Sequence, residues 1–363
     1  MTRCDALSLL KRARTYSFEV YDRTTMYLSV LALLLAQTAH LPSATQLDSR
    51  QFTVPQLAAD FDILEHALQS GDPGVYRHIR RAAFEAEFST TRAQLDRPMD
   101  ASDFYNLIAP AVAAIEDGHA HLDLPTGMKA RMLARDELLP LGVRVLQDDR
   151  VYIYRDFSST LHALAGSELL SINGRSAQSL VASFSRALSE DGDIPTSRRI
   201  DSSGRNFIED LALVAGIRSP YMILVTKDGH QRAMTLTGMR ETDIMADWKR
   251  LYGDDFEVRQ QSAASFQLLH GTSIAIMRVS SWDDSQTANL RTKFSEWFTQ
   301  LRSTRTKTLI VDIRHNGGGE DTLGTLLYSY LAPEAFLYYK AALANGTSFD
   351  FMQYADGHDE KDA

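Results

Sequence analysis

The chain has 363 residues, 44% hydrophobic and 23% charged, with a formal net charge of −9. That length accommodates two or three domains of ordinary globular composition. An acidic balance with a pI near 5.6 argues against a nucleic-acid partner, which calls for a basic surface. One cysteine, Cys4, excludes an intrachain disulfide framework and every multi-cysteine metal site.

Residues 1–50 read as a targeting segment. Met26 to Ala36 is a continuous apolar run followed by small residues and a proline, which suits the h-region of a signal peptide and is short for a membrane span. The basic residues ahead of it are mixed with Asp5, Glu19 and Asp22, so translation starting at Met26 is one explanation, and a buried N-terminal helix is the alternative. The expectation is an exported protein without a stable membrane span after processing.

From 51 to 135 the pattern is helical. Leu57, Phe61, Leu64 and Leu68 recur at three- and four-residue steps, the mark of an amphipathic helix. The Gly71–Gly74 turn follows, then a helix from about Phe84 to Leu95. A third runs from Ser102 to Ile115, with Asp100 or Ser102 as its cap and Pro110 as a kink. From 136 to 240 the texture is strands, near Leu141, Val151, Glu168, Tyr221 and Ala233, with a helix over Ser179–Leu188. Asn173-Gly174 suits a two-residue hairpin turn. This unit fits a small barrel or a PDZ-like domain. From 241 to 363 the reading is α/β. A strand at Ser273 leads to a helix carrying Leu290, Phe294, Trp297, Phe298 and Leu301. A strand over Thr308–Ile313, expected to be covered on both faces, then gives way to a Gly-rich loop and a helix ending near Pro333.

Two constellations could carry chemistry. Asn316-Gly-Gly-Gly319 joins a strand to a helix, which sets backbone N–H groups at a helix N-terminus, suited to an anion. Glu320 and Asp321 stand where a phosphate loop wants Lys and Ser/Thr. An oxyanion hole therefore fits better, and a tight structural turn is the bland alternative. The second constellation is Asp117-Gly-His-Ala-His-Leu-Asp123. His119 is a candidate general base, because imidazole titrates near the working pH. On a strand His119, His121 and Asp123 would share a face, as in some zinc hydrolases. A structural pair of histidines is the third possibility. Asp312 beside Arg314 reads as an ion-paired structural carboxylate. No cofactor and no metal are assigned.

Leu309-Ile-Val-Asp-Ile-Arg-His-Asn-Gly-Gly-Gly, Asp117-Gly-His-Ala and Gly166-Ser-Glu-Leu-Leu-Ser-Ile-Asn-Gly-Arg stand in an order that resembles the tail-specific (C-terminal-processing) serine peptidases, in particular the branch that includes the tricorn core. The resemblance implies a helical unit, a PDZ-like β domain and an incomplete ClpP/crotonase-like α/β domain. It implies His119 as general base, Gly317 or Gly318 as oxyanion donors, and a peptide or protein C-terminus as substrate. The family's nucleophilic serine is expected beyond the Gly-rich loop. Ser329 and Ser348 lack its context, so the chain reads as truncated before the nucleophile and inactive as it stands. A non-catalytic peptide or lipophile binder on the same fold is the alternative class.

Overall fold

The computed structural model describes residues 50–124, 127–135, 137–158, 163–252, 264–287, 289–314, 316–339, 345–346 and 348–354. The targeting segment, Cys4 and His315 lie outside them.

Three helices open the described chain: α1 (Val54–Gly71), α2 (Arg81–Arg92) and α3 (Ala101–Ala113). The starts of α1 and α3 follow from side chains that take up otherwise unpaired backbone donors. The Gln56 side chain accepts from the Thr53 N–H, and Asp100 accepts from the Asp103 N–H. Pro110 sits inside α3, which stays helical through Ala113. The apolar stripe foreseen on α1 is buried as Leu57, Phe61, Leu64 and Leu68, and Phe84 and Phe88 of α2 stack beside it.

A short helix, α4 (Met128–Arg135), leads into a sheet of β1 (Leu141–Val145), β2 (Val151–Asp156), β3 (Glu168–Ile172), the two-residue β4 (Arg175–Ser176), β5 (Tyr221–Lys227) and β6 (His230–Leu236). The strand order is β1-β2-β3-β5-β6, with β4 paired to β3. All of these pairings are antiparallel. Both hairpin turns use adjacent positive φ angles, Asn173 at 47° with Gly174 at 81° and Asp228 at 50° with Gly229 at 79°. That geometry matches the twist of paired strands, which is why Asn-Gly and Asp-Gly stand there.

Helices α5 (Ala177–Ser185), α6 (Pro195–Asp201) and α7 (Gly204–Leu213) fill the long connection between β4 and β5, and α8 (Glu241–Tyr252) follows β6. The helical unit and this sheet share one apolar cluster running from Phe52 to Ile244.

The C-terminal unit has its own smaller core. Its elements are β7 (Ala264–Leu268), β8 (Ile274–Val279), a short α9 (Asp284–Thr287), α10 (Leu290–Ser303), β9 (Thr308–Asp312) and α11 (Asp321–Leu331). β8 and β9 are parallel, as the strand–helix–strand pattern requires. β7 joins antiparallel, so the three-stranded sheet is mixed. Met277, Val279, Phe294, Phe298, Leu323 and Leu327 form the core between sheet and helices.

The expectation that β9 is covered on both faces fails. Leu309 and Val311 pack on the core, whereas Ile310 is 46% exposed and Ile313, just past the strand, is 57% exposed. Helices α10 and α11 pack on the side of Leu309 and Val311, so the alternate residues of β9 lack a second layer. A 3-10 turn (Asp350–Tyr354) returns to α1, where Phe351 is buried and Asp350 meets His66 at 2.8 Å.

Candidate active site

The Gly-rich loop is fixed by one close backbone approach. Trp282 and Gly319 form a parallel bridge. The Trp282 N–H donates to the Gly318 carbonyl at 2.9 Å, and the Glu320 N–H donates to the Trp282 carbonyl at 2.7 Å. A Cβ on Gly319 would lie 2.4 Å from the Trp282 carbonyl oxygen, and its φ is 132°. Only glycine fits. Gly317 and Gly318 differ, since nothing lies within 4 Å of a Cβ built on either. That open space is what a substrate backbone needs for close approach.

Asn316 braces the loop at both ends. Its Nδ2 donates to the Val279 carbonyl at 3.0 Å, and its Oδ1 accepts the Gly318 N–H at 2.8 Å. The Gly318 amide is therefore engaged within the loop. Asp312 is the ion-paired carboxylate expected: Arg314 Nε and Nη2 donate to its two oxygens at 2.8 and 2.7 Å. The guanidinium holds the Asp312 carboxyl below its ordinary range.

His119 sits on a tight turn after α3. The Asp117 Oδ1 accepts the His119 N–H at 2.8 Å and lies 3.4 Å from the ring Nδ1. Asp117 is buried, while the His119 side chain is 73% exposed. A second loop clamps this turn. Asp191 Oδ1 accepts the Gly118 N–H at 2.9 Å, and the Gly192 N–H donates to the Glu116 carbonyl at 2.8 Å. On the other side the Asp72–Gly74 turn packs against it: a Cβ on Gly74 would come within 3.3 Å of an Asp117 oxygen. Burial, reinforced by nearby Asp117, pushes the Asp72 carboxyl up.

The zinc arrangement of His119, His121 and Asp123 does not form. It required a strand, and the backbone from 117 to 124 is turn and irregular coil, so the two-residue alternation has no common face. His121 instead faces Asp123 at 3.6 Å. Among the described residues, the carboxylates and imidazole that converge within 4.8 Å are Asp117, His119 and Asp191. Both carboxylates already accept backbone N–H bonds.

Asp191 and Asp72 were not foreseen. They lie far from His119 in sequence, and their only local signal is an Asp followed by Gly within one or two positions. Of the serines weighed as nucleophiles, Ser329 lies inside α11 with its hydroxyl donating to the Leu326 carbonyl at 2.6 Å. Ser348 lies in irregular chain ahead of the 3-10 turn.

Comparison with known families bears on the Gly-rich unit. Residues 273–356 match the model of peptidase family S41. The match takes in β8, β9, the Gly317–Gly319 loop and α11, so the likeness to that family lies in the C-terminal unit. No curated protein matches the chain. Two solved structures align with it at low identity. Mature CPAF complexed with lactacystin does so with a TM-score of 0.48 and 13% identity over 76% of this chain and 59% of that one. Mature CPAF does so with a TM-score of 0.45 and 15% identity over 74% of this chain and 56% of that one. The chain thus spans under two thirds of these structures.

Proposed function

We propose that the chain carries the peptide-binding, base and oxyanion parts of a serine peptidase of the tail-specific type, related to the tricorn-core branch, with peptides or protein C-termini as its ligands. The carrying observation is the S41 match over a unit whose loop offers open space at Gly317 and Gly318 while Gly319 is locked against Trp282. In this reading the loop stabilises the developing oxyanion. Gly317 supplies the readier amide, because the Gly318 N–H must leave Asn316 before it can serve. His119 is the general base, its exposed ring free to meet a bound substrate. The antiparallel sheet built on β1–β6 is the PDZ-like module, which grips an extended peptide by strand addition.

Neither Ser329 nor Ser348 is the nucleophile in this reading, so the 363-residue chain binds peptide without forming an acyl-enzyme. Described residues include no helix long and apolar enough to cross a membrane, and the substrate is a peptide or protein.

The test has two arms on the purified chain. Titration with an unstructured peptide bearing a free C-terminus is expected to show saturable binding that weakens when the terminus is amidated. A fluorophosphonate probe is expected to label no serine. Absence of binding to any such peptide overturns the substrate class, and stoichiometric labelling of a serine overturns the assignment of an inactive chain.

A further inference from the structure

The His119 turn holds more than a candidate base. Asp117 is buried and faces the Nδ1 of an imidazole whose side chain is largely exposed, so Nε2 lies across the ring from that carboxylate. The carboxylate cannot swing away easily. Its Oδ1 is tied to the His119 N–H, and its other oxygen lies against the Gly74 backbone. The turn cannot shift as a whole either, because Asp191 and Gly192 hold it from the far side through the Gly118 N–H and the Glu116 carbonyl.

A fixed carboxylate on one ring nitrogen decides which nitrogen carries the proton. An anionic acceptor at Nδ1 favours the Nδ1–H tautomer, and that leaves Nε2 with its lone pair, the state a general base requires. At 3.4 Å the contact is loose, as unliganded catalytic pairs often are before substrate tightens them.

We infer that Asp117 is a positioning residue that sets His119 in the Nδ1–H tautomer with Nε2 as the base nitrogen, and that Asp191 fixes the turn which aligns the two. The inference deepens the peptidase reading by giving its base a partner. Its test nevertheless reads the imidazole directly and needs neither a nucleophile nor turnover.

The experiment is long-range proton–nitrogen NMR on the full chain labelled with 15N-histidine, above the titration range of its imidazoles, with His119→Gln identifying the His119 signals. The wild-type ring is expected to show a protonated Nδ1 and a bare Nε2. In Asp117→Asn the amide oxygen can still accept the His119 N–H, so the turn is retained, but the anionic acceptor is gone. The ring is then expected to move toward the Nε2–H tautomer that imidazole prefers in water. Asp117→Glu, which keeps the charge, is expected to restore part of the wild-type signature.

A wild-type ring already in the Nε2–H form overturns the inference whatever the variants do. An unchanged tautomer in folded Asp117→Asn, judged by unaltered signals from the other histidines, overturns it as well. A failure of peptide binding with the Nδ1–H tautomer intact would strike the proposed function and leave the tautomer assignment standing.

Discussion

Replacing Gly319 with alanine puts the packing of the Gly-rich loop to a quantitative test. The added methyl would sit 2.4 Å from the Trp282 carbonyl oxygen and 2.5 Å from its carbon. These are backbone atoms, so no side chain can swing aside, and the bridge itself must open. Opening it gives up the Trp282 to Gly318 and Glu320 to Trp282 hydrogen bonds, at about 1 kcal/mol each. Holding a residue with a Cβ at φ 132° adds about 1–2 kcal/mol of backbone strain. The sum is about 3–4 kcal/mol, a large share of the about 5–15 kcal/mol that holds a typical domain folded. Urea denaturation followed by tryptophan fluorescence reads this well, because Trp282 belongs to the bridge. With a slope of about 1–3 kcal/mol per molar, the midpoint of the C-terminal unit is expected to fall by about 1–4 M. Gly317→Ala is the control. It meets nothing within 4 Å, so its stability is expected within about 0.5 kcal/mol of wild type. Equal midpoints for the two variants would refute the reasoning.

Two further outcomes follow. Burial pushes the Asp210 carboxyl up to about 7, against a partial lowering by Lys129. A raised carboxyl binds its proton more tightly in the folded state, so its ionisation costs stability progressively from about pH 4 to pH 7, and the cost stays constant above that. Asp210→Asn is therefore expected to gain on the order of 1–4 kcal/mol in urea melts at pH 8 and nothing at pH 4, and an equal effect at both pH values contradicts the burial argument. The proposed export signal predicts cleavage between about Ala36 and Gln46, and N-terminal sequencing of protein recovered from the cytoplasm with Met1 intact would rule it out.

Much of the scaffold was legible because its signals are local. The steps from Leu57 to Leu68 fixed a helix face, and Asp100 capped α3 as its chemistry demands. Asn173-Gly174 gave the β3–β4 hairpin, because few other residues tolerate two positive φ angles in a row. β7 was unreadable, since Ala264–Leu268 is short and mixes polar with apolar residues without marked turns. Helices α6 and α7 lie in a long connection whose Arg-rich stretch reads as solvated surface, although Phe207 and Leu211 are buried. The covering of β9 was misjudged because an apolar run reports hydrophobicity and not which faces find a partner. His119 and the Gly317–Gly319 loop stood out from residue type alone. The Asp191 clamp could not, because it joins positions 118 and 191 through the fold. The zinc alternative failed on the same ground, since its common face required strand geometry that the turn at Asp117 forbids.

The central claim is that one bound peptide meets both the His119 turn and the Gly317–Gly319 loop, as acyl-transfer chemistry demands of its base and oxyanion donors. A peptide with a free C-terminus and a single photoreactive residue at one fixed position tests it directly, by cross-linking to the full chain and mapping the adducts by mass spectrometry. The account predicts that this one position gives adducts in both the 117–121 and 316–320 segments, suppressed by excess unlabelled peptide. Adducts confined to one segment, with binding otherwise intact, would contradict it.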